Sequence, residues 1–374
     1  MAFSDQFKQF DWDQIRLAIY SKTAADVERA LAKPKRNLDD FMAMISPAGE
    51  AYLEQMAQLS FAATRKRFGH TVSMYVPLYL SNLCSNECTY CGFSMEHRIK
   101  RKTLNADEID QEIDAIKSMQ FDSVLLVTGE HETKVGMKYF RQVLPQVRRN
   151  FSYLAMEVQP LEQDEYAELK QLGLDAVMVY QETYHPSTYA KHHLRGNKKD
   201  FNFRLDTADR LAKAGIDKIG IGALIGLEDW RTDSFHVAAH LDYLERTYWK
   251  TRYSISFPRI RPCEGSIEPK SVMSDKQLVQ LICAYRLLNG EVELSLSTRE
   301  SESFRDNVMP LGITTISAAS KTQPGGYAND EQELEQFAIS DERSADQVAA
   351  AVKSRGLEVV WRDWHQAYSG GFNH

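Results

Sequence analysis

The chain has 374 residues, a formal net charge of −7, 43% hydrophobic residues and 26% charged residues. That composition provides a sizeable core and excludes wholesale disorder, and the lack of a long basic run excludes nucleic acid as the expected partner. The length suits one barrel of roughly 250 residues with extensions.

The N-terminal stretch MAFSDQFKQFDWDQ interleaves acids and aromatics. It has no cationic start, apolar stretch or small-residue cleavage site, so no signal peptide is expected. No apolar run approaches the roughly 18 residues of a membrane span, so the reading is cytoplasmic, with no membrane partner. Residues 1–70 are predicted as a helical extension: Ala24 to Leu31 and Ala48 to Phe68 carry apolar residues at helical spacing, split by Pro34 and by Ser46-Pro47. From about residue 72 short β-rich runs recur: Val72 to Leu80, Ser123 to Val127, Tyr153 to Val158, Ala176 to Tyr180, Lys218 to Ile225, Tyr253 to Phe257, Val292 to Leu296 and Ile313 to Ile316. Helical segments separate most of them. Asn105 with Glu108, and Ser274 with Gln277, are placed to form capping boxes, and Gly173 and Gly215 sit where helix C-caps belong. This alternation predicts an α/β fold, a parallel (β/α) barrel of full or partial TIM type, over residues 71–320. Residues 321–374 form a C-terminal extension: the turn-rich Lys321 to Tyr327, an acidic segment, and a helix from Ala345 to Ser354 ending at Gly356.

Five cysteines are present, and three of them, Cys84, Cys88 and Cys91, share one short loop with the spacing C-x3-C-x2-C. A tight cluster in a long chain without a signal peptide reads as a metal site, whereas a disulfide framework spreads its cysteines in pairs. The loop directly follows the first predicted strand, and loops after barrel strands face the active site. Three thiolates can hold three irons of a cubane, leaving the fourth iron open to a small molecule. A structural zinc site, with His97 as a fourth ligand, is the alternative. A fully ligated electron carrier is another, and it needs Cys263 or Cys283. Both of those cysteines otherwise read as small buried residues.

Other candidates lie at strand ends. Gly129 lets a ligand approach the backbone, and Glu130 can accept hydrogen bonds from an ammonium group. Glu157, in the apolar run Met-Glu-Val-Gln, must be paired or functional. Arg204 opens the helix that ends at Gly215 and can grip a carboxylate through two parallel hydrogen bonds, or else lies on a solvated face. Gly220, Gly222 and Gly226 either admit a ligand or fit a crowded interior. Arg299, after the seventh strand, and Ser317, ending the eighth, share a rim and can hold an amino-acid carboxylate; the alternative pairs Arg299 with Glu300 or Glu302. His131, His185, His192 and His193 are the histidines near strand ends.

The cysteine spacing, with Tyr90 before the last cysteine and Gly92-Phe93 after it, is the signature of the radical S-adenosylmethionine (SAM) superfamily. Together with LLVTGEH, MEVQPL, VMVYQETYH, GALIGL, SFPRIRPC, LSLSTRES and SKTQPGGYA, it makes the chain resemble the tyrosine lyases of thiamine biosynthesis over essentially its whole length. The resemblance implies a 4Fe–4S cluster on Cys84, Cys88 and Cys91. It places SAM against Tyr90, Gly129, Glu130, Glu157 and Arg204, although Thr128 stands where the family's Gly-Gly-Glu element begins with glycine. It gives Arg299 and Ser317 the carboxylate of the substrate. The implied reaction cleaves the Cα–Cβ bond of L-tyrosine to p-cresol and 2-iminoacetate (dehydroglycine), with 5′-deoxyadenosine and methionine as co-products. The implied partners are a thiazole synthase that receives the water-sensitive imine, and a flavodoxin or ferredoxin reductant. Sister lyases are the near alternatives. The hydrogenase-maturation tyrosine lyase needs cysteines in its C-terminal tail, and no cysteine follows Cys283 here. A tryptophan lyase shares much of the scaffold. From another class, a non-enzymatic iron–sulfur or zinc module stays open.

Overall fold

The computed structural model describes residues 2–261, 267–329 and 335–362. Eight parallel strands build the centre: β1 (Thr71–Ser81), β2 (Ser123–Thr128), β3 (Tyr153–Glu157), β4 (Ala176–Met178), β5 (Lys218–Gly222), β6 (Arg252–Ser256), β7 (Glu293–Leu296) and β8 (Thr315–Ser317). Each pairs with its neighbours in chain order, and β8 closes on β1 with Ser73 opposite Thr315 and Tyr75 opposite Ser317. The barrel is therefore full, and each of the eight predicted runs is a strand.

Four strands stop short of their predicted ends: β3 at Glu157 and β6 at Ser256 by one residue, β4 at Met178 by two and β5 at Gly222 by three. Beyond β4 the chain turns to serve the site: the Tyr180 carbonyl accepts a hydrogen bond from Arg204 Nε at 2.7 Å, and Glu182 adopts a φ of 70°. A ninth strand, β9 (Glu358–Val360), pairs in parallel with the lower end of β1. Three residues are too few to show a period of two, so the sequence pattern does not reveal it.

The helices begin and end where their side chains direct. Both predicted capping boxes form, at Asn105 with Glu108 and at Ser274 with Gln277. Gly173 and Gly215 take φ values of 100° and 82° just past helix ends, in the left-handed region where glycine carries no steric cost. The single helix expected from Arg204 to Gly215 is instead two, Phe201–Leu205 and Thr207–Lys213. At the break, the Asp206 carboxylate accepts hydrogen bonds from the Ser4 backbone and hydroxyl. The N-terminal residues form helices Phe3–Phe7, Trp12–Tyr20, Ala24–Ala32, Leu38–Ile45 and Leu53–Phe68. Buried polar contacts fix them to the barrel: Phe3 N to Asp209 at 3.1 Å, Arg231 Nε to the Ile45 carbonyl at 2.8 Å, and Gln280 Nε2 to the Met44 carbonyl at 2.8 Å. Among the described residues no helix is long and apolar enough to cross a membrane.

Barrels of this type are usually filled by branched apolar side chains. This interior is instead lined by hydroxyl groups, among them Ser73, Tyr75, Tyr180, Ser254, Ser256 and Ser295. Serine is too small to fill the space, so the barrel is hollow. At its base, where β5 and β7 begin, Lys218 and Glu293 form a buried ion pair at 2.9 Å. The hollow opens at the C-terminal ends of the strands, where such barrels carry their chemistry.

Candidate active site

The cavity at this mouth holds about 1600 Å³ of empty space, counting its opening to solvent. Cys84, Cys88 and Cys91 all line it, on the loop that leaves β1. Gly129, at the end of β2, lets this loop seat. A Cβ there would lie 2.4 Å from the Leu83 carbonyl oxygen and 3.2 Å from Cys84 Cβ. Burial, then Glu130 and Cys91, push the Cys84 thiol up to about 11, and burial raises Cys88 well above its usual value. Three thiolates in so buried a place need cations among them, and an iron cluster supplies these. Among the described residues no three His, Cys, Asp or Glu side chains converge tightly enough to hold a single metal ion. His97, the fourth zinc ligand considered, has its Nδ1 3.1 Å from the Gly92 carbonyl oxygen. The loop therefore fits a polynuclear cluster better than one zinc ion. Cys283 lies fully buried in helix Asp275–Leu288 and does not line the cavity; Cys263 falls outside the described residues.

Next to the cysteines stands a buried ionic network. Arg204 is 7% exposed, which removes the solvated-face reading. Its Nη1 donates to Glu130 Oε1 at 3.0 Å, and its Nη2 lies 3.6 Å from Glu182 Oε1. Lys198 Nζ binds Glu182 Oε1 at 2.8 Å and lies 3.7 Å from Glu130 Oε1. Asn86, from the cysteine loop, donates its amide to Glu130 Oε2 at 2.8 Å. Burial opposes ionisation of Glu130 and Glu182, but Arg204 and Lys198 overcome it and hold both carboxyls below their usual range. These charged, preorganised groups suit a zwitterionic ligand, and the Thr128 hydroxyl beside them is buried without a hydrogen-bond partner among the described residues.

Removing one member of such a network leaves a buried charge uncompensated, which typically costs about 3–5 kcal/mol. Arg204→Ala is expected to lose about that much stability at pH 7. Carboxyls with depressed folded values stabilise above their unfolded value, about 4.3, and lose that contribution as pH falls through the folded value. The gap between wild type and Arg204→Ala should therefore close below about pH 4. Denaturant unfolding across pH 3–8 measures it, and a gap independent of pH overturns the ionic account.

Across the cavity, Arg299 makes no hydrogen bond or ion pair through its guanidinium among the described residues. The group lies over the Phe337 ring at 3.4 Å from the centroid. The alternative partners are engaged elsewhere: Glu300 binds Arg259 and Arg261, and Glu302 lies 3.8 Å from Arg343. Ser317 Oγ accepts a hydrogen bond from Thr298 N at 3.1 Å, and its hydroxyl also reaches the Tyr75 phenol. Between the two walls sits Glu157, with no side-chain hydrogen bond among the described residues. Burial pushes its carboxyl up to about 7, against the pull of Arg299. Tyr90 lines the cavity beside the cysteines, its hydroxyl 2.8 Å from His193 Nε2. Burial and Lys198 take His193 down to about 2, and its Nδ1 faces the Tyr189 carbonyl at 2.7 Å. The ring is therefore neutral, and its Nε2 accepts the Tyr90 proton.

None of His131, His185, His192 and His193 lines the cavity. Gly220 and Gly222 answer to crowding: a Cβ at Gly220 would lie 2.1 Å from Met178 Sδ, and one at Gly222 2.8 Å from the Ser256 carbonyl oxygen. Gly226 takes a φ of 122°. Four further residues complete the site. Glu182 and Lys198 join the network, and Gln336 and Phe337 close the cavity from the C-terminal extension. Gln336 accepts the Tyr79 hydroxyl at 2.8 Å and places its amide 3.7 Å from Cys91 Sγ. Glu182 follows a strand end, as Glu130 and Arg299 do, and that signal was available. Gln336 and Phe337 reach the mouth only through tertiary folding.

The chain matches the Radical SAM superfamily over residues 78–236 and the Biotin and Thiamin Synthesis associated domain over residues 256–358. The 2-iminoacetate synthase of Escherichia coli (strain K12) is 64% identical over 363 residues, which are 97% of this chain and 96% of that one. That of Salmonella typhimurium (strain LT2) is 62% identical over the same shares. The crystal structure of HydG, a maturase of the FeFe-hydrogenase, superposes with a TM-score of 0.89 at 27% identity, covering 95% of this chain and 81% of that one. Identity this high, carried along almost the whole of both chains, goes with a buried three-cysteine loop over a hollow barrel: the chain belongs to the 2-iminoacetate synthase family, the radical SAM lyases that work with a 4Fe–4S cluster and S-adenosylmethionine.

Proposed function

We propose that this enzyme cleaves the Cα–Cβ bond of L-tyrosine to 2-iminoacetate and p-cresol, with each wall of the cavity serving one ligand. When bound, the cluster and SAM supply a carbon-centred radical able to remove a hydrogen atom from the substrate. Cys84, Cys88 and Cys91 hold the cluster. Glu130 and Arg204, with Lys198 and Glu182, receive the ammonium and carboxylate of SAM, and Tyr90, Gly129 and Glu157 border the same ligand. Hydroxyls of the SAM ribose would draw Glu157 toward its charged form, since hydrogen bonds to a carboxylate favour ionisation. Arg299 grips the tyrosine carboxylate and Ser317 donates its proton to it. The hydroxyl-lined hollow below accommodates the phenol. Closure by Gln336 and Phe337 excludes water that would quench a radical.

The observation that carries this reading is the free guanidinium of Arg299, which lines the same cavity as the cysteine loop. The product imine hydrolyses in water, which favours handing it to a thiazole synthase. Anaerobic incubation of reconstituted protein with SAM, dithionite and either tyrosine or tryptophan tests the reading. The expected products are p-cresol and 5′-deoxyadenosine with tyrosine alone. Indole-derived fragments from tryptophan, without p-cresol from tyrosine, would overturn it.

A further inference from the structure

The cysteine loop has an outer face as well as an inner one. Residues Glu87–Cys88 form a short antiparallel sheet with His193–Arg195, and Cys88 is in register with His193. Cys88 is thus a buried cluster ligand whose backbone partner lies one residue from the surface. The next residue, Leu194, is 43% exposed, and so is Met95, whose backbone N binds the Asn86 carbonyl at 2.9 Å. Among the described residues seven large apolar side chains are exposed, and these two lie on the same small sheet and its loop. The same two chain segments carry Arg98, Lys191, Arg195 and Lys199, all exposed. Of these, Arg98, Lys191 and Lys199 make no ion pair among the described residues. Arg195 lies 3.1 Å from Glu87 Oε2 and 3.6 Å from Glu96 Oε1, and Asp200 and Glu132 are exposed on the neighbouring turns, Glu132 accepting a hydrogen bond from Asn197. In a chain with net charge −7, residues 86–100 and 190–200 carry six Lys or Arg against three Asp or Glu, a local reversal of sign. Interfaces follow this design, with an apolar core and charged groups that steer the partner.

We infer that this face is the docking surface for an acidic one-electron carrier protein. The inference rests on the radical SAM reading above, because the electron has to reach the cluster behind Cys88. The carrier is oxidised by one electron and the cluster is reduced by one; no atom is transferred. The opposite approach, over the barrel mouth, is covered by Gln336 and Phe337, whereas the small sheet lies directly on a ligand.

The experiment uses the reconstituted holoenzyme and follows 5′-deoxyadenosine formation with two reductants, reduced flavodoxin and dithionite. The variants are Lys191→Glu with Lys199→Glu, Arg98→Glu, and Leu194→Ser, with Lys250→Glu as a reversal outside this face. Each reversal on the face should raise the flavodoxin concentration for half-maximal rate about tenfold, while dithionite-driven cleavage stays at the wild-type rate. High ionic strength should weaken the wild type toward the variants, since exposed charges are screened. An unchanged flavodoxin dependence in the double variant overturns the docking assignment. So does a parallel fall in dithionite-driven cleavage, which would place these side chains in the site itself. If wild-type enzyme fails to cleave SAM with dithionite, it is the radical SAM reading that fails. Reduced ferredoxin in place of flavodoxin should show the same charge dependence, and a ferredoxin dependence indifferent to the reversals also counts against the surface.

Discussion

Cys88→Ala is expected to yield folded protein without a 4Fe–4S cluster, and Cys84→Ala and Cys91→Ala to do the same. The three sulfurs lie on one loop at one wall of the cavity, and each has only its own iron to hold. Losing one leaves a buried cluster exposing an iron that the protein no longer binds, next to thiolates whose charges then repel. Cys283→Ala should behave differently. Its side chain is fully buried within a helix of the outer layer, so the expected effect is a packing loss on the order of 1 kcal/mol with full cluster content. Cys263 is expected to be dispensable as well. The measurements are iron and sulfide per chain, the visible absorbance of the oxidised cluster and the electron paramagnetic resonance of the reduced one. If Cys263→Ala loses the cluster as fully as Cys88→Ala, the fourth iron is not open and the assignment of SAM to it fails.

The barrel was legible because its signals are local. Eight β-rich runs, two capping boxes and two helix-ending glycines each announce themselves within a few residues, and the structure has them all. β9 was not legible, since its three residues become a strand only by meeting β1. The cysteine loop was legible for a similar reason: its three cysteines sit within one short stretch. The rest of the site spreads over the whole barrel mouth. Arg204 could be singled out as a candidate, but its burial and its pairing with Glu130 follow from the fold alone. Lys198 lies in a short 3-10 turn with no periodicity to mark it, and its neighbour Lys199 points to solvent. The histidines near strand ends carry no local signal of their role: His193 hydrogen-bonds Tyr90 and the Tyr189 carbonyl from outside the cavity, a placement set by the fold.

Arg299→Ala should uncouple the two halves of the reaction: 5′-deoxyadenosine still forms, but p-cresol falls by about tenfold to a hundredfold. A charge-assisted hydrogen bond typically contributes about 1.5–3 kcal/mol, and that is the corresponding range in substrate binding. Product should fall further than occupancy alone requires, because a misplaced hydrogen atom leaves the radical to be quenched. The structure explains why arginine is needed here. Its plane lies over Phe337, which fixes the orientation of the fork without consuming a donor, and the nearby carboxylate Glu300 is already taken by Arg259 and Arg261. Lysine offers a single point charge that neither stacks as a plane nor binds a carboxylate through two parallel bonds, so Arg299→Lys should recover little product. Phe337→Ala should act in the same direction more weakly, by freeing the guanidinium to reorient. SAM affinity should stay near wild type in all three, because the network around Arg204 lies on the other wall. The decisive quantity is the ratio of p-cresol to 5′-deoxyadenosine, measured with SAM binding alongside. A preserved ratio with collapsed SAM binding would move Arg299 to the cofactor wall, and the division of the cavity into two ligand faces would have to be redrawn.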